Sequence, residues 1–241
     1  AYRLAEGRMA YATASRGFKA GGFNPTSLPG SEEYAEEQSW SYEGGVKTQW
    51  LADRVSFNAT VFFIDWQDMQ LNVPNPFVPG QFYISNVGGA TSKGLELESM
   101  ARVAPGCDIF AGFGFTDALF DASELGISGN RVPNMPRYSG NVGGQYSIAV
   151  REGADAFFRA EIAFRGAYHY DDANTQQQEA YSTANFRAGV RGERLMVEAW
   201  TRNAFDTFYI PTAFVYFGQP SGFVGESGAP RTFGVRVGVT F

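Results

Sequence analysis

The connections between alternating apolar and polar segments come in two kinds that strictly take turns along this chain, and few folds permit that. Short turns sit at Leu51-Ala52-Asp53-Arg54, Ala104-Pro105-Gly106, Arg151-Glu152-Gly153 and Gly192-Glu193, whereas long connections occupy about 16–39, 68–90, 120–137, 169–180 and 206–229. A strand meander with tight turns on one rim and long loops on the other produces this order, as outer-membrane barrels do. A soluble sandwich supplies no reason for it.

The segments themselves repeat with period two. Phe233, Val235, Val237, Val239 and Phe241 alternate with Thr232, Gly234, Arg236, Gly238 and Thr240. Val142, Tyr146, Ile148 and Val150 oppose Ser139, Asn141, Gln145 and Ser147, and Val55, Phe57, Ala59, Val61 and Phe63 oppose Ser56, Asn58 and Thr60. Such alternation gives a strand one apolar and one polar face. Roughly ten segments can be drawn, near 2–15, 40–51, 54–67, 91–103, 107–119, 138–150, 154–168, 181–191, 194–205 and 230–241. The expected fold is all-β, a transmembrane antiparallel up-and-down β-barrel of which 1–241 supplies about ten strands.

Composition narrows the function classes. Aromatic residues make up 16% of the chain and there are 29 glycines, a mixture suited to pleated strands and turns rather than helices. A net charge of −6 without clustered Lys and Arg argues against a nucleic-acid partner. No apolar run reaches the length of a membrane helix, which leaves barrel strands untouched because they hide their apolar residues by alternation. The single cysteine, Cys107, can form no intrachain disulfide. The start, Ala1-Tyr2-Arg3-Leu4, lacks the charged and apolar regions of a signal peptide, so for an exported protein an earlier segment is expected.

Trp40 and Trp50 share one parity of one segment, near its two ends. Ten residues at about 3.3 Å each, tilted by about 40°, rise roughly 25 Å, the height of a barrel's apolar band. The two tryptophans are therefore expected to sit in the two interfacial girdles against outer-membrane lipid, with Tyr42 and Val46 on the same face. The opposite parity carries Glu43, Lys47 and Gln49, and equivalent faces carry Glu96, Glu98, Arg159, Glu161, Arg165, Arg187, Arg191, Glu198 and Arg202. So many charges suit a wide lumen holding water or a plug, not a packed core.

Several stretches then form a recognisable series. Ser15-Arg16-Gly17-Phe18-Lys19-Ala20-Gly21-Gly22-Phe23-Asn24 resembles the SRGFKAGGFN stretch of TonB-dependent receptors, and Trp40-Ser41-Tyr42-Glu43-Gly44-Gly45-Val46-Lys47 resembles their SYEIGFK strand. Asn86-Val87-Gly88-Gly89-Ala90 followed by Lys93-Gly94-Leu95-Glu96-Leu97-Glu98 resembles their NAG…KGVELE strand. Arg202-Asn203-Ala204-Phe205-Asp206 is similar to their RNLFD motif, and Gly228-Ala229-Pro230-Arg231-Thr232-Phe233-Gly234 to the GAPRTFG that opens their last strand. The resemblance covers nearly the whole chain in the right order. It implies the C-terminal portion of a barrel of about 22 strands around a plug. It also implies active uptake of ferric siderophores or similar scarce nutrients, driven by the TonB complex through an N-terminal TonB box. Neither plug nor TonB box is found in 1–241, so both are expected in an absent N-terminal part.

Within that resemblance, Phe241 is expected to be both a girdle aromatic and the terminal signal read by the barrel-assembly machinery. Ligand contacts are expected from Tyr168, His169 and Tyr170 on one long loop, from Tyr216 and Phe217 on another, and from Arg165, Arg187 and Arg202 on the lumen face, where the arginines would meet an anionic chelate or the plug. The aromatic density of the loops, which also hold Phe77, Phe82, Tyr83, Phe214 and Phe223, suits rings that fold over one another as well as rings that stack on a ligand. One histidine without spaced partners is no metal site, and Asp171, Asp172, Asn174 and Glu179 lack calcium-loop spacing and read as a solvated tip. No nucleophile elbow, zinc helix or paired catalytic carboxylates appear, so neither catalytic residue nor cofactor is expected. A porin-like or adhesin barrel shares every periodicity argument, and a soluble β-sandwich binding module is the third class.

Overall fold

The computed structural model describes residues 1–121, 123 and 125–240, all strand, turn or loop. In chain order the strands are β1 (Tyr2–Ala5), β2 (Arg8–Lys19), β3 (Gly22–Phe23), β4 (Glu33–Tyr34), β5 (Glu37–Trp50), β6 (Val55–Gln67), β7 (Gln70–Pro74), β8 (Phe82–Asn86), β9 (Ala90–Ala104) and β10 (Cys107–Phe120). They continue as β11 (Tyr138–Arg151), β12 (Ala154–Arg165), β13 (Tyr168–His169), β14 (Gln177–Gln178), β15 (Tyr181–Gly192), β16 (Leu195–Arg202), β17 (Thr212–Val215), β18 (Phe223–Glu226) and β19 (Thr232–Val239).

One antiparallel sheet of 11 strands runs β1-β2-β5-β6-β9-β10-β11-β12-β15-β16-β19, each strand beside its sheet neighbour in sequence, with β1 and β19 as its two edges. The segment expected as one strand at 2–15 is two strands, split by a turn at Gly7, whose φ of +66° suits glycine. Alternation continues on both sides of the turn, which hides it. The short-turn rim is tight: Leu51, Ala52 and Asp53 take φ of 56°, 52° and 62° in succession, and Gly106 and Gly153 take 73° and 71°. At the other rim, among the described residues, four of the five long connections carry a small hairpin, β3–β4, β7–β8, β13–β14 or β17–β18.

Register fixes the two faces. Tyr146 pairs with Phe158 and Phe158 with Ala188, while Val190 pairs with Val197 and Val197 with Val237. The outer face is thus a continuous apolar surface, left exposed at Val61, Tyr146, Ile148, Phe158, Ile162 and Val235. That much exposed apolar area is expected of a face that meets lipid. Trp40 and Trp50 lie on this face, with Trp40 stacked on Tyr42 at 6.1 Å between ring centroids and Arg8 3.6 Å above the Trp50 ring. Phe241 lies outside the described residues.

The inner face holds the charges and a recurring device. Tyr11, Phe62, Phe110, Phe157 and Trp200 each stand directly opposite a glycine of the following sheet strand, namely Gly45, Gly94, Gly143, Gly189 and Gly234. In each case the ring lies over the glycine: a Cβ on Gly45 would sit 2.7 Å from Tyr11 Cε1, and one on Gly234 2.7 Å from Trp200 Cζ2. With no Cβ in the way, the ring covers the backbone itself. Cations cap four of these rings, Lys47 over Tyr11, Arg159 over Phe110 at 4.3 Å, Arg191 over Phe157 and Arg202 over Trp200.

Buried apolar side chains gather at the long-loop rim. Val87, Ala90, Ala118, Phe120, Ile127 and Val132 form one cluster with Trp66 and Met69 against it. Ala90, Ala118 and Phe120 have the inner parity of their strands, so the connections 68–89 and 121–137 pack over the inner face.

Candidate functional site

The end of β12 and the start of β15 set the site. Arg165 pairs with Tyr181 across these strands, and Ser139 of β11 pairs with Arg165 on its other side. All three have the inner parity. Tyr181 stacks on Tyr209, a loop residue, with ring centroids 4.4 Å apart and planes 11° from parallel. Together with Asn141, Thr183 and Pro211 these residues line a cleft of about 530 Å³. Arg165 is exposed and has no ion-pair partner among the described residues. A charged planar group beside two stacked rings, with an amide and hydroxyls lining the same cleft, suits a planar anion.

Tyr209 is held by the base of the last long loop. Asn203, at φ 46°, accepts from Thr207 N at 2.9 Å and donates to the carbonyls of Thr207 and Ala229. Asp206 accepts from Arg231 N at 2.7 Å. The RNAFD and GAPR stretches therefore meet and clamp the loop at both ends. Gly228 lies under the Tyr209 ring and donates its N–H to Tyr209 O at 2.8 Å.

The expected ligand residues separate. Tyr168 is 2% exposed and its hydroxyl donates to Pro211 O at 3.0 Å, so it packs the loop and presents nothing to a ligand. Tyr170 donates to Ile210 O at 2.8 Å, and burial, then the neighbouring Tyr168 and Tyr181, pushes its phenol up to about 12. His169 is half-buried, its carbonyl accepting from Asn134 N at 2.8 Å. Tyr216 and Phe217 sit at the tip of the β17–β18 hairpin, where a Cβ on Gly80 would be 3.1 Å from the Tyr216 ring. Arg187 stands directly opposite both Arg159 and Trp200 in mid-wall, and Arg202 lies against Trp200. Only Arg165 reaches the cleft.

Of the acidic tip expected to be solvated, Glu179 is exposed but Asp171 is not. Asp171 is 7% exposed, and its carboxylate accepts from Thr175 N at 2.9 Å, Thr175 Oγ1 at 2.9 Å and Gln176 N at 3.2 Å. It closes the turn that positions Asn174. Tyr181, Tyr209, Asn141 and Thr183 escaped the sequence reading. An aromatic on the polar parity of its strand was the signal for Tyr181; Tyr209, in an irregular connection, gave none.

The continuous meander, its apolar outer face and its polar, charged inner face define a segment of an outer-membrane β-barrel wall. The model of the TonB dependent receptor-like β-barrel family matches residues 1–204, and the chain belongs to that family. It is 31% identical over 245 residues to the pesticin receptor of Yersinia enterocolitica, a match covering 100% of this chain and 35% of that protein. The metal-pseudopaline receptor CntO of Pseudomonas aeruginosa is 28% identical over 181 residues, covering 74% of this chain and 24% of the relative. Among solved structures, the ferric yersiniabactin uptake receptor FyuA of Yersinia pestis superposes with a TM-score of 0.85 at 28% identity, over 100% of this chain and 36% of that one. The siderophore receptor PiuA of Acinetobacter baumannii shares the fold, with a TM-score of 0.76 at 17% identity over 98% of this chain and 34% of its own. The chain thus spans about a third of the length of these relatives.

Proposed function

We propose that residues 1–241 are the C-terminal part of the barrel of a TonB-dependent receptor that takes up a ferric siderophore or a similar metal chelate across the outer membrane. Family membership and relatives that receive metal chelates support this reading. The observation that carries it to a site is the long-loop cleft, where Arg165, without an ion-pair partner among the described residues, stands beside the Tyr181–Tyr209 stack. Arg165 attracts the anionic chelate, the tyrosines stack on its planar part, and Asn141 and Thr183 supply hydrogen bonds. A passive porin would gain nothing from such a cleft.

In the same reading, a plug domain fills the lumen against the charged inner face, and the TonB complex acts through the N-terminal part of the protein. Trp40 and Trp50 mark the two lipid interfaces, and Phe241 serves the barrel-assembly machinery. The test is growth of an iron-starved outer-membrane host lacking its own siderophore receptors, supplied with the full-length gene and single ferric chelates. TonB-dependent growth on at least one chelate is expected. Equal growth with TonB deleted would replace this reading with the passive barrel.

A further inference from the structure

We propose that the five long connections form one hydrogen-bonded collar whose loops shift together, so that no single loop works as an independent lid. The inference concerns 20–36, 68–89, 121–137, 166–180 and 203–231, and it holds whether or not the protein transports a chelate.

Three asparagines carry the argument. A side-chain amide has the donor and acceptor of a peptide group, so it can pair with both backbone groups of one residue, as a neighbouring strand would. Asn24 does this with Ile84, donating to its carbonyl at 2.8 Å and accepting from its N–H at 2.8 Å. Asn86 does it with Ala35 in the reverse direction, at 3.1 and 2.7 Å. Asn174 does it with Arg131, at 2.9 and 2.7 Å. Each pair bridges two different long connections.

The remaining junctions complete the series of contacts. Gln70 donates to Ala20 O and Ala35 O, adding to the first junction. Connections 68–89 and 121–137 share the buried cluster of Val87, Ile127 and Val132, and Asp121 N donates to Gly89 O at 2.9 Å. Asn130 donates to Asp172 O at 2.9 Å beside the Asn174 pair. From 166–180 to 203–231, Tyr168 and Tyr170 donate to Pro211 O and Ile210 O, while Gln178 accepts from Ile210 N at 2.7 Å. Each loop is thus tied to the next from β2 to β19. Loops that share partners open as a cooperative unit, because freeing one strips hydrogen-bond partners from its neighbours.

Hydrogen exchange read by mass spectrometry on the full-length gene product in detergent tests this. Asn174→Ala and Asn86→Ala are each expected to speed exchange about tenfold in all five connections, including those that share no hydrogen bond with the mutated side chain. Ser221→Ala is the control, since among the described residues that hydroxyl bonds only to the backbone of Phe223 in its own hairpin. Its effect should stay local. Heat-modifiable migration confirms that the barrel is assembled; should Asn174→Ala not assemble, Asn174→Asp keeps the acceptor for Arg131 N, removes the donor to Arg131 O and gives the same readout. Faster exchange confined to the mutated loop and its direct hydrogen-bond partner in both variants would overturn the collar.

Discussion

Tyr11 stands directly across the strand pair from Gly45, and its ring occupies the space that a side chain on Gly45 would need. Its hydroxyl reaches on to Glu43 Oε1 at 2.5 Å and Thr60 Oγ1 at 2.9 Å, so the ring is fixed at both ends. Gly44, one residue earlier, faces outward, and a Cβ there would come no nearer than 3.8 Å to Tyr11 O. Gly45→Val should therefore lower barrel stability by about 1–3 kcal/mol through overpacking, whereas Gly44→Val should be tolerated. Urea unfolding of the detergent-refolded full-length protein reads the difference. Equal effects of the two substitutions would dismiss the ring-over-glycine account.

Arg165→Gln should weaken binding of an anionic chelate about tenfold without changing the amount of receptor in the membrane, as loss of a charge-assisted hydrogen bond does. Tyr209→Leu should weaken it as well, and Arg165→Lys should restore part of it. Binding of radiolabelled iron to outer-membrane vesicles is the measurement. Undiminished affinity in Arg165→Gln would place the ligand elsewhere in the mouth.

The Tyr170 phenol should titrate late. Its ordinary value is 10 and burial lifts it to about 12, so the folded loop holds the proton more tightly than the unfolded one. The contribution is complete below pH 10 and is lost as pH rises from there to about 12. Absorbance at 295 nm should show a late tyrosine step that disappears in Tyr170→Phe. A step of full size remaining in that variant would assign it to another tyrosine.

Three of the four tryptophans should divide by face. Trp40 and Trp50 lie on the apolar outer face, while Trp200 lies over Gly234 on the inner one. In single-tryptophan variants reconstituted with brominated lipids, fluorescence at 40 and 50 should be quenched and that at 200 spared. Quenching at 200 alone would invert the assignment of faces.

Most of the wall was legible in the sequence, because a half-lipid, half-lumen strand must alternate and its turns must be tight on one rim. The exception teaches the same lesson. Arg151-Glu152-Gly153 reads as a turn between two patterned segments, yet the same dipeptide at Glu6-Gly7 passes unnoticed inside a run that keeps its alternation. At the long-loop rim the pattern fails for a physical reason. Asn24, Asn86 and Asn174 pair with backbone, which any residue supplies, so Ile84, Ala35 and Arg131 carry no mark of their role. Arg165 was one of three arginines on the polar parity that the sequence offered, and only its place at the strand end brings it to the cleft. The Tyr209 ring that completes its cleft is placed by contacts at Gly228 and Asn203 that no local spacing encodes.

The three successive left-handed residues at Leu51-Ala52-Asp53 make that hairpin a poor place to splice foreign sequence, since each added residue must inherit a strained backbone. The hairpin end at Gln219-Pro220-Ser221 is exposed and returns to its own strand through Gly222, at φ 73°. An epitope tag inserted there should be displayed on living cells and bound by antibody, which makes that hairpin end the natural handle for sorting a library of cleft variants by flow cytometry.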